Sequence, residues 1–430
     1  MMGSNPPRLR LLFLASGLLA ACASDGGVDA STTSSGGVAE TTGTAGTAES
    51  DASSGAPATD GTSEAVDSSG DSSDGTSTTG EPAGAGIPRL PEGNHLGMII
   101  GFNPTLPPAT ATAVDAAWTE AIARGMDVGR VQISWAELEP SPGRIDVSPL
   151  VEELDALVAD GLTPMVLIET LDSDSLELPP DLLDPDDPIR LAPGLAFDDA
   201  TVTGRFAALL DVAVPVMTER GVFGVSVANE PGTLFERDTS GTDAVVGFLE
   251  AARSHIRTLD PELGVTMTMR EVEVGTPFLA SVLGASDFAS MNFYCALPDL
   301  TVDATAGTVR LAAMMDAMGD LDVVLQELGC PAGPDDGVST LGATEALQAA
   351  FYADVGAALA DEPRLRAAFA FQLVDWSPEA IALLESSIQD APQWFIDRFV
   401  ESLATMGMRR YADGTPRPAW TAWLEAQDAL

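Results

Sequence analysis

Short apolar runs alternate with longer amphipathic segments along most of the chain that follows Pro88. No dipeptide typical of a hairpin turn separates them, so the runs are expected to be parallel strands joined by helices. Eight runs have this character, at positions 95–101, 128–134, 163–169, 222–229, 264–270, 288–294, 321–327 and 367–373.

The segment between the second and third runs shows the expected pattern of one helix. Ser148 can cap it, Pro149 suits its first turn, and Gly161 ends it before the next strand. Similar patterns predict helices at 112–124, 200–220, 243–258, 277–283, 308–318, 344–360 and 394–406. In the second of these, Pro215 predicts a kink or a break.

Eight strands that are each followed by a helix predict an α/β fold, a single (β/α)8 TIM barrel with enlarged loops. An open doubly wound sheet is the structural alternative. However, the segment Gly101-Phe102-Asn103-Pro104 after the first strand lacks the glycine-rich phosphate loop of that fold. Residues 89–430 are therefore predicted to form the barrel domain.

The first 22 residues have the pattern of an export signal. Arg8 and Arg10 precede an apolar run at 11–19 that is too short to span a bilayer. The sequence Leu19-Ala20-Ala21-Cys22 then resembles the lipobox of bacterial lipoproteins, which implies a lipid on Cys22. An ordinary secretory signal is the alternative. The resemblance predicts a protein of the cell envelope, held at an outer membrane or cell surface through this lipid alone.

Residues 23–88 consist mainly of Ser, Thr, Gly and Ala with scattered acidic residues. They contain very few large aliphatic residues, so they cannot bury enough apolar surface to offset the entropy lost on ordering. This segment is predicted to be a disordered linker between the anchor and the barrel.

The composition is strongly acidic, with 65 Asp and Glu against 20 basic residues and a formal net charge of −45. Such a charge would repel nucleic acids and other polyanions, whereas a neutral glycan would not be repelled. A general adaptation of solubility explains the charge equally well. His95 and His255 do not form a pair at metal-ligand spacing, so no metal or other cofactor is expected. The protein is expected to be a monomer.

Two cysteines remain beside Cys22, and each lies just after a predicted strand. If those strands are neighbours, Cys295 and Cys330 can form a disulfide in an exported protein. The bridge would close a loop of about 35 residues and contribute about 4 kcal/mol to the free energy of unfolding. Two buried free thiols are the alternative.

Two glutamates stand where apolar runs end, Glu230 after the fourth run and Glu327 at the end of the seventh. In a (β/α)8 barrel the C-terminal ends of the strands carry the chemistry. A pair of carboxyl groups that flank one bond is what glycosidic cleavage requires, about 5.5 Å apart in retaining enzymes. For either residue alone, a solvated loop acid would be the simpler explanation.

At this point the residues resemble clan A of the retaining (β/α)8 glycoside hydrolases, which includes many cellulases, mannanases, xylanases and β-galactosidases. Asn229-Glu230-Pro231 resembles the strand-four motif, which implies that Glu230 is the acid/base and that Asn229 binds the sugar 2-hydroxyl. Gln326-Glu327-Leu328-Gly329 is similar to the strand-seven motif and implies that Glu327 is the nucleophile. Arg130, with the segment 135–143, resembles the arginine that supports it.

The chain departs from the clan pattern in two places. Strand six ends Asn292-Phe293-Tyr294 where the clan often has His-x-Tyr, so only the tyrosine role carries over. Strand three ends Leu167-Ile168-Glu169-Thr170, which matches no one family. The segment 407–419 is again similar to the C-terminal tail of these barrels. The resemblance is thus to the clan and not to a family within it.

The expected chemistry follows from the neighbours of each carboxyl. Tyr294 and Arg130 would favour the anion of Glu327, whose negative charge would raise the pKa of Glu230. Trp376 follows strand eight beside Asp375 and is expected to bind substrate as a sugar-stacking platform, with a core anchor as the alternative. These residues predict hydrolysis of a β-linked glycan or glycoside by double displacement. A barrel that binds glycans without turnover is the alternative, and transglycosylation a third possibility.

Overall fold

The computed structural model describes residues 86–101, 103, 105–236, 239–335, 337–389 and 391–430. The predicted signal peptide, Cys22 and all but the last three residues of the predicted linker lie outside the described residues.

Eight parallel strands form the central sheet, and their order in space follows their order in the chain. The path runs β1-β8-β7-β6-β5-β4-β3-β2, and the N–H of Asp127 bonds to Leu96 O at 3.3 Å between its two ends. The prediction of a (β/α)8 barrel is confirmed, and the open doubly wound sheet is wrong. The strands are β1 His95–Ile99, β2 Val128–Ser134, β3 Thr163–Glu169, β4 Gly224–Asn229, β5 Gly264–Arg270, β6 Ala289–Tyr294, β7 Val323–Gly329 and β8 Leu365–Phe371.

In the described part of the chain, ten longer helices accompany the strands, together with several single turns. Most cover the outer face of the sheet, where their apolar stripes are buried. The helices are α1 Pro108–Ala123, α2 Ser148–Ala159, α3 Ala200–Glu219, α4 Thr242–Leu259, α5 Pro277–Ala285, α6 Leu311–Ala317, α7 Glu345–Asp361, α8 Pro378–Ser387, α9 Gln393–Ala404 and α10 Pro418–Ala429.

The helix predicted at 394–406 is present as α9, but it does not complete the ring of outer helices. The place of the eighth outer helix, after β8, belongs to α10. Trp423 of α10 packs on Tyr352 of α7 with ring centroids 5.6 Å apart, and Trp420 Nε1 reaches Glu120 of α1 at 3.3 Å. Because α10 already fills the gap between α7 and α1, helices α8 and α9 form an additional pair with an apolar cluster of their own.

Helix α3 is continuous through Pro215, so the predicted break does not occur. The proline lies on the exposed face of the helix, where water can reach the carbonyl that has lost its partner. By length and composition α3 could cross a membrane. Its buried face packs in the core instead, with the Phe206 ring 5.0 Å from Trp135 and 4.9 Å from Phe248.

The interior of the barrel changes character along the strands. At the strand starts an apolar plug contains Met165, Phe223, Phe288 and Phe369, all completely buried. At the strand ends the inward positions are polar or charged. Because burial excludes water along the whole strand, the polar groups at the C-terminal end must satisfy one another.

Candidate active site

Glu230 and Glu327 line one cavity at the C-terminal ends of the strands. The cavity has a volume of about 120 Å³ and is also lined by Asn292, Tyr294 and Arg270. Glu327 lies within β7, while Glu230 follows β4 directly. Since β5 and β6 separate β4 from β7 in the sheet, the two carboxyl groups approach one space from opposite sides.

Glu327 has a cation and a hydroxyl as partners. Arg130 Nη1 donates to Glu327 Oε1 at 3.0 Å, and both side chains are almost fully buried. The Tyr294 hydroxyl donates to the other carboxyl oxygen. Burial and the charges of Glu327 and Glu230 raise the pKa of Tyr294 well above its ordinary value, so the phenol keeps its proton. Both partners therefore stabilise Glu327 as an anion.

Glu230 is held in a backbone conformation that favours glycine, with φ of 49°. Its N–H bonds to Thr268 O at 2.8 Å, and its carboxyl group accepts hydrogen bonds from Asn292 at 2.7 Å and Ser173 at 3.2 Å. Burial raises the pKa of Glu230 to about 7, and Glu327 adds to the rise against the opposing effects of Arg270 and Asn292. The rise was expected from the neighbouring charge, but burial is the larger cause.

Asn229 is completely buried, and three side chains bond to its amide. Its Nδ2 donates to Asp172 Oδ1 at 2.9 Å, while its Oδ1 accepts from Asn292 and Gln326, each at 3.1 Å. Asn292 stands where the clan often has histidine and joins Asn229 to Glu230 by donating to both. The amide of Asn229 therefore has one orientation, and it is connected to the site through Asn292, since Asn229 itself is not among the residues that line the cavity.

Local irregularities of the sheet aim these side chains. The pairing of β4 with β5 shifts register between Ser226 and Asn229, and the pairing of β6 with β7 shifts between Met291 and Asn292. Such bulges redirect side chains at barrel rims and beside active sites. One shift lies beside Asn292, which lines the cavity, and the other beside Asn229, which accepts a hydrogen bond from Asn292.

Two further buried carboxyl groups lie at the end of β3, and sequence reasoning missed them. Gln132 Nε2 donates to Glu169, and Arg130 donates to the oxygen of Gln132, so this group is linked to Glu327. Burial, together with nearby carboxyl groups, raises the pKa values of Glu169 and Asp172 well above their ordinary range. Burial therefore favours the protonated form of both groups.

The missed residues differ in how well the sequence could have identified them. Glu169 and Arg270 end β3 and β5, so the strand-end rule applied to the two glutamates also selects them. Asp172 and Ser173 lie in and after a two-residue strand that no periodicity reveals. Arg270 pairs with Glu236 at 2.8 Å and Glu273 at 3.2 Å on the cavity rim.

Trp376 does not line the cavity. It is 6% exposed and packs in the apolar cluster of α8 and α9, so the core-anchor alternative is correct. The aromatic ring from this side of the barrel is Phe371, which packs edge-on against Tyr294 at 5.9 Å. Asp375 beside Trp376 bonds to Arg417 at 2.8 Å and so ties the C-terminal tail to the strand-eight loop.

Cys295 and Cys330 form a disulfide with Cα atoms 5.1 Å apart. It joins the ends of β6 and β7, since Cys295 follows Tyr294 directly and Cys330 comes three residues after Glu327. The two strand ends that bring Tyr294 to Glu327 are therefore covalently connected.

No cluster of three or more His, Cys, Asp or Glu side chains with the arrangement of a metal site occurs among the described residues.

Sequence comparison finds no matching protein-family model and no matching curated protein. Comparison of structures finds similar barrels. An exo-β-1,4-mannosidase from Opitutaceae bacterium strain TAV5 is 17% identical with a TM-score of 0.56, over 78% of this chain and 59% of that chain. A GH5_18 variant from Streptomyces cattleya in complex with Manβ1-4GlcNAc is 16% identical with a TM-score of 0.53, over 78% and 80%.

A family 39 glycoside hydrolase from Bacteroides cellulosilyticus WH2 is also similar, with 15% identity and a TM-score of 0.52 over 80% of this chain and 65% of that chain. The present chain thus spans less than two thirds of the mannosidase and family 39 chains. At these identities the likeness establishes the fold alone, which is the (β/α)8 barrel of these glycoside hydrolases.

Proposed function

We propose that the protein hydrolyses the glycosidic bond of a β-linked glycan or glycoside with retention of configuration. Glu327 is the nucleophile, Glu230 the general acid/base, and Asn229, Arg130 and Tyr294 position the substrate and the nucleophile. No cofactor takes part.

The observation that carries this proposal is the different environment of the two carboxyl groups in one cavity. Glu327 is held as an anion by Arg130 at 3.0 Å and by the Tyr294 hydroxyl. Burial holds the pKa of Glu230 at about 7, so a large part of this group carries a proton at neutral pH. A retaining mechanism needs one carboxyl group of each kind.

The two steps follow from these states. In the first, a Glu327 oxygen attacks the anomeric carbon while the bond to the leaving oxygen breaks, and that oxygen takes the proton of Glu230. In the second, Glu230 accepts a proton from water, the water oxygen bonds to the anomeric carbon, and the bond to Glu327 breaks.

Two structural neighbours guide the choice of sugar. One is an exo-β-1,4-mannosidase and another was obtained in complex with Manβ1-4GlcNAc. β-Mannosides therefore come first in the panel to be tested, followed by β-glucosides and β-galactosides.

Trapping with activated 2-fluoro glycosides tests the proposal. The fluorine slows the second step, so the sugar should remain bound to the nucleophile, and peptide mass mapping should place it on Glu327. The Glu327→Gln variant should take up no label. Glycan binding without label or turnover would support the non-catalytic barrel instead.

The proposed location is a bacterial envelope membrane, to which the lipid on Cys22 anchors the chain. The lipobox-like sequence Leu19-Ala20-Ala21-Cys22 supports it. Palmitate labelling in a bacterial host should mark the wild type and not Cys22→Ser. Equal label in both proteins would exclude the anchor.

A further inference from the structure

The cavity that holds the two glutamates is apolar over most of its remaining wall. The loop after β6 contributes Leu297 and Leu300, and α9 with the segment behind it contributes Phe399, Leu403 and Met406. Leu300, Phe399 and Leu403 belong to one apolar cluster and are at most 6% exposed, so this wall is closed and well packed.

The entrance of the cavity is apolar as well. Val272, after β5, and Leu297, after β6, are 47% and 40% exposed. Large apolar side chains at this exposure cost free energy unless a ligand covers them. Both line the same cavity as Glu230, so a molecule bound there would contact them.

The charged groups on the rim already have partners. Arg310 pairs with Glu271 at 2.6 Å, and Arg270 pairs with Glu236 at 2.8 Å. A second sugar placed against the apolar wall would lose hydrogen bonds to water without replacing them, which is unfavourable. Among the described residues no tryptophan lines the cavity and could stack on a sugar ring.

The order of the strands places this apolar surface beside the leaving group. Glu230 protonates the leaving oxygen, so the leaving group lies on the side of Glu230. In the sheet β5 lies beside β4, and β6 lies beside β5. Val272 is in the loop after β5, and Leu297 is in the loop after β6. We propose that the substrate is a small glycoside whose leaving group is apolar, such as an alkyl or aryl alcohol, and not a longer glycan chain. This inference rests on the proposed hydrolytic function.

Methyl, butyl and hexyl glycosides of one sugar test the inference, because their leaving alcohols have similar acidity and differ in apolar surface. Each methylene that becomes buried should raise kcat/KM by up to about fourfold. The ratio of kcat/KM for hexyl to that for methyl glycoside should therefore reach about tenfold or more. The disaccharide of the same sugar should be cleaved less efficiently than the hexyl glycoside.

Two matched sets of variants locate the effect. The double variant Val272→Ser and Leu297→Ser should lower the hexyl-to-methyl ratio at least about threefold. The control double variant Val158→Ser and Leu259→Ser changes residues of similar exposure, 44% and 41%, on the outer helices α2 and α4. It should keep the wild-type ratio.

A hexyl-to-methyl ratio within twofold, or a clear preference for the disaccharide, would overturn the inference while leaving hydrolysis intact. If no glycoside is turned over and none labels Glu327, the proposed function fails. In that case, calorimetry of glycoside binding to the wild-type protein tests the apolar site independently of turnover. Tighter binding of hexyl than of methyl glycoside supports the apolar site, and equal or absent binding refutes it.

Discussion

Two pairs of buried carboxyl groups lie at the same end of this barrel, and their hydrogen-bond partners differ. Glu327 meets the Arg130 guanidinium and the Tyr294 hydroxyl, and Glu230 lies across the cavity from it. Glu169 and Asp172 are equally buried, but their donors are neutral groups, the amide of Gln132 for Glu169, and the amide of Asn229 and the hydroxyl of Ser173 for Asp172.

The comparison shows that burial alone does not make a catalytic carboxylate. Burial raises the pKa values of Glu169, Asp172 and Glu230. A cation in direct contact is the feature that sets Glu327 apart, because it compensates the charge that burial penalises. Each prediction below changes one side of this contrast.

Replacement of glutamate by glutamine should affect kcat very differently at Glu327 and at Glu169, and this is the largest difference expected. Glu327→Gln should lower kcat at least roughly a thousandfold, since an amide cannot attack the anomeric carbon. Glu169→Gln should keep kcat within about threefold, because an amide oxygen still accepts from Gln132. Steady-state kinetics on the preferred aryl glycoside measures both, and equal losses would contradict the contrast.

Glu230→Gln should slow substrates according to their leaving group. A general acid contributes roughly 10²- to 10⁴-fold. The loss should therefore be of that order for an alkyl glycoside, whose alkoxide needs a proton, and much smaller for a dinitrophenyl glycoside. A loss that is the same for both leaving groups would show that Glu230 does not donate the proton.

Arg130→Ala should make Glu327 resemble Glu169. Without the guanidinium no cation compensates the charge of the buried nucleophile, and kcat/KM should fall roughly a hundredfold. Arg205→Ala is a matched control, because Arg205 also pairs with a buried glutamate, Glu139, at 2.7 Å. This pair does not line the cavity. The control should retain the activity of the folded wild type.

The pH dependence of activity should report the protonated form of Glu230. With a pKa of about 7, kcat/KM should fall as pH rises through that value. Asn292→Asp removes a donor that favours the anion and adds a negative charge, so the alkaline limb should move to higher pH. Asn94→Asp, on the opposite end of the barrel, should leave it in place. An unmoved limb in Asn292→Asp would assign it to another group.

The smallest effect concerns stability. Because folding raises the pKa of Asp172, its contribution is present at low pH and is lost as pH rises through the folded-state value. Asp172→Asn should therefore reduce the fall in Tm between pH 5 and pH 9 by a few degrees at most. In exposed Asp146 the pKa is lowered by hydrogen bonds from Ser148, so Asp146→Asn should not reduce this fall.

Local patterns were sufficient for much of the fold. The eight apolar runs correspond to the eight strands, and the positions at the strand ends identified Glu230 and Glu327 as candidate catalytic residues. The hydrophobic pattern did not identify the eighth outer helix after β8, because the apolar residues of 394–406 have the same helical periodicity as those of an outer helix. Only the packing of Trp423 against Tyr352 decides which helix completes the ring.

The shell around the glutamates was predictable in part. Arg130 and Tyr294 were identified and contact Glu327, whereas Trp376 was given a place in the cavity that Phe371 occupies. Side chains at strand ends can point inward or outward, and a register shift of one residue exchanges them. Asp172 could not be foreseen, because it approaches Asn229 through a two-residue strand.

The sequence by itself determined the strand order and which residues stand at the strand ends, because burial along a strand and helical periodicity are local properties. Tertiary structure alone decided the partners of each buried carboxyl group. Arg130 and Glu327 are 197 residues apart, and no local pattern brings them to 3.0 Å. The pKa of a buried carboxyl group such as Glu230 depends on which groups the fold places beside it, and the partners of Glu327 likewise come from other strands.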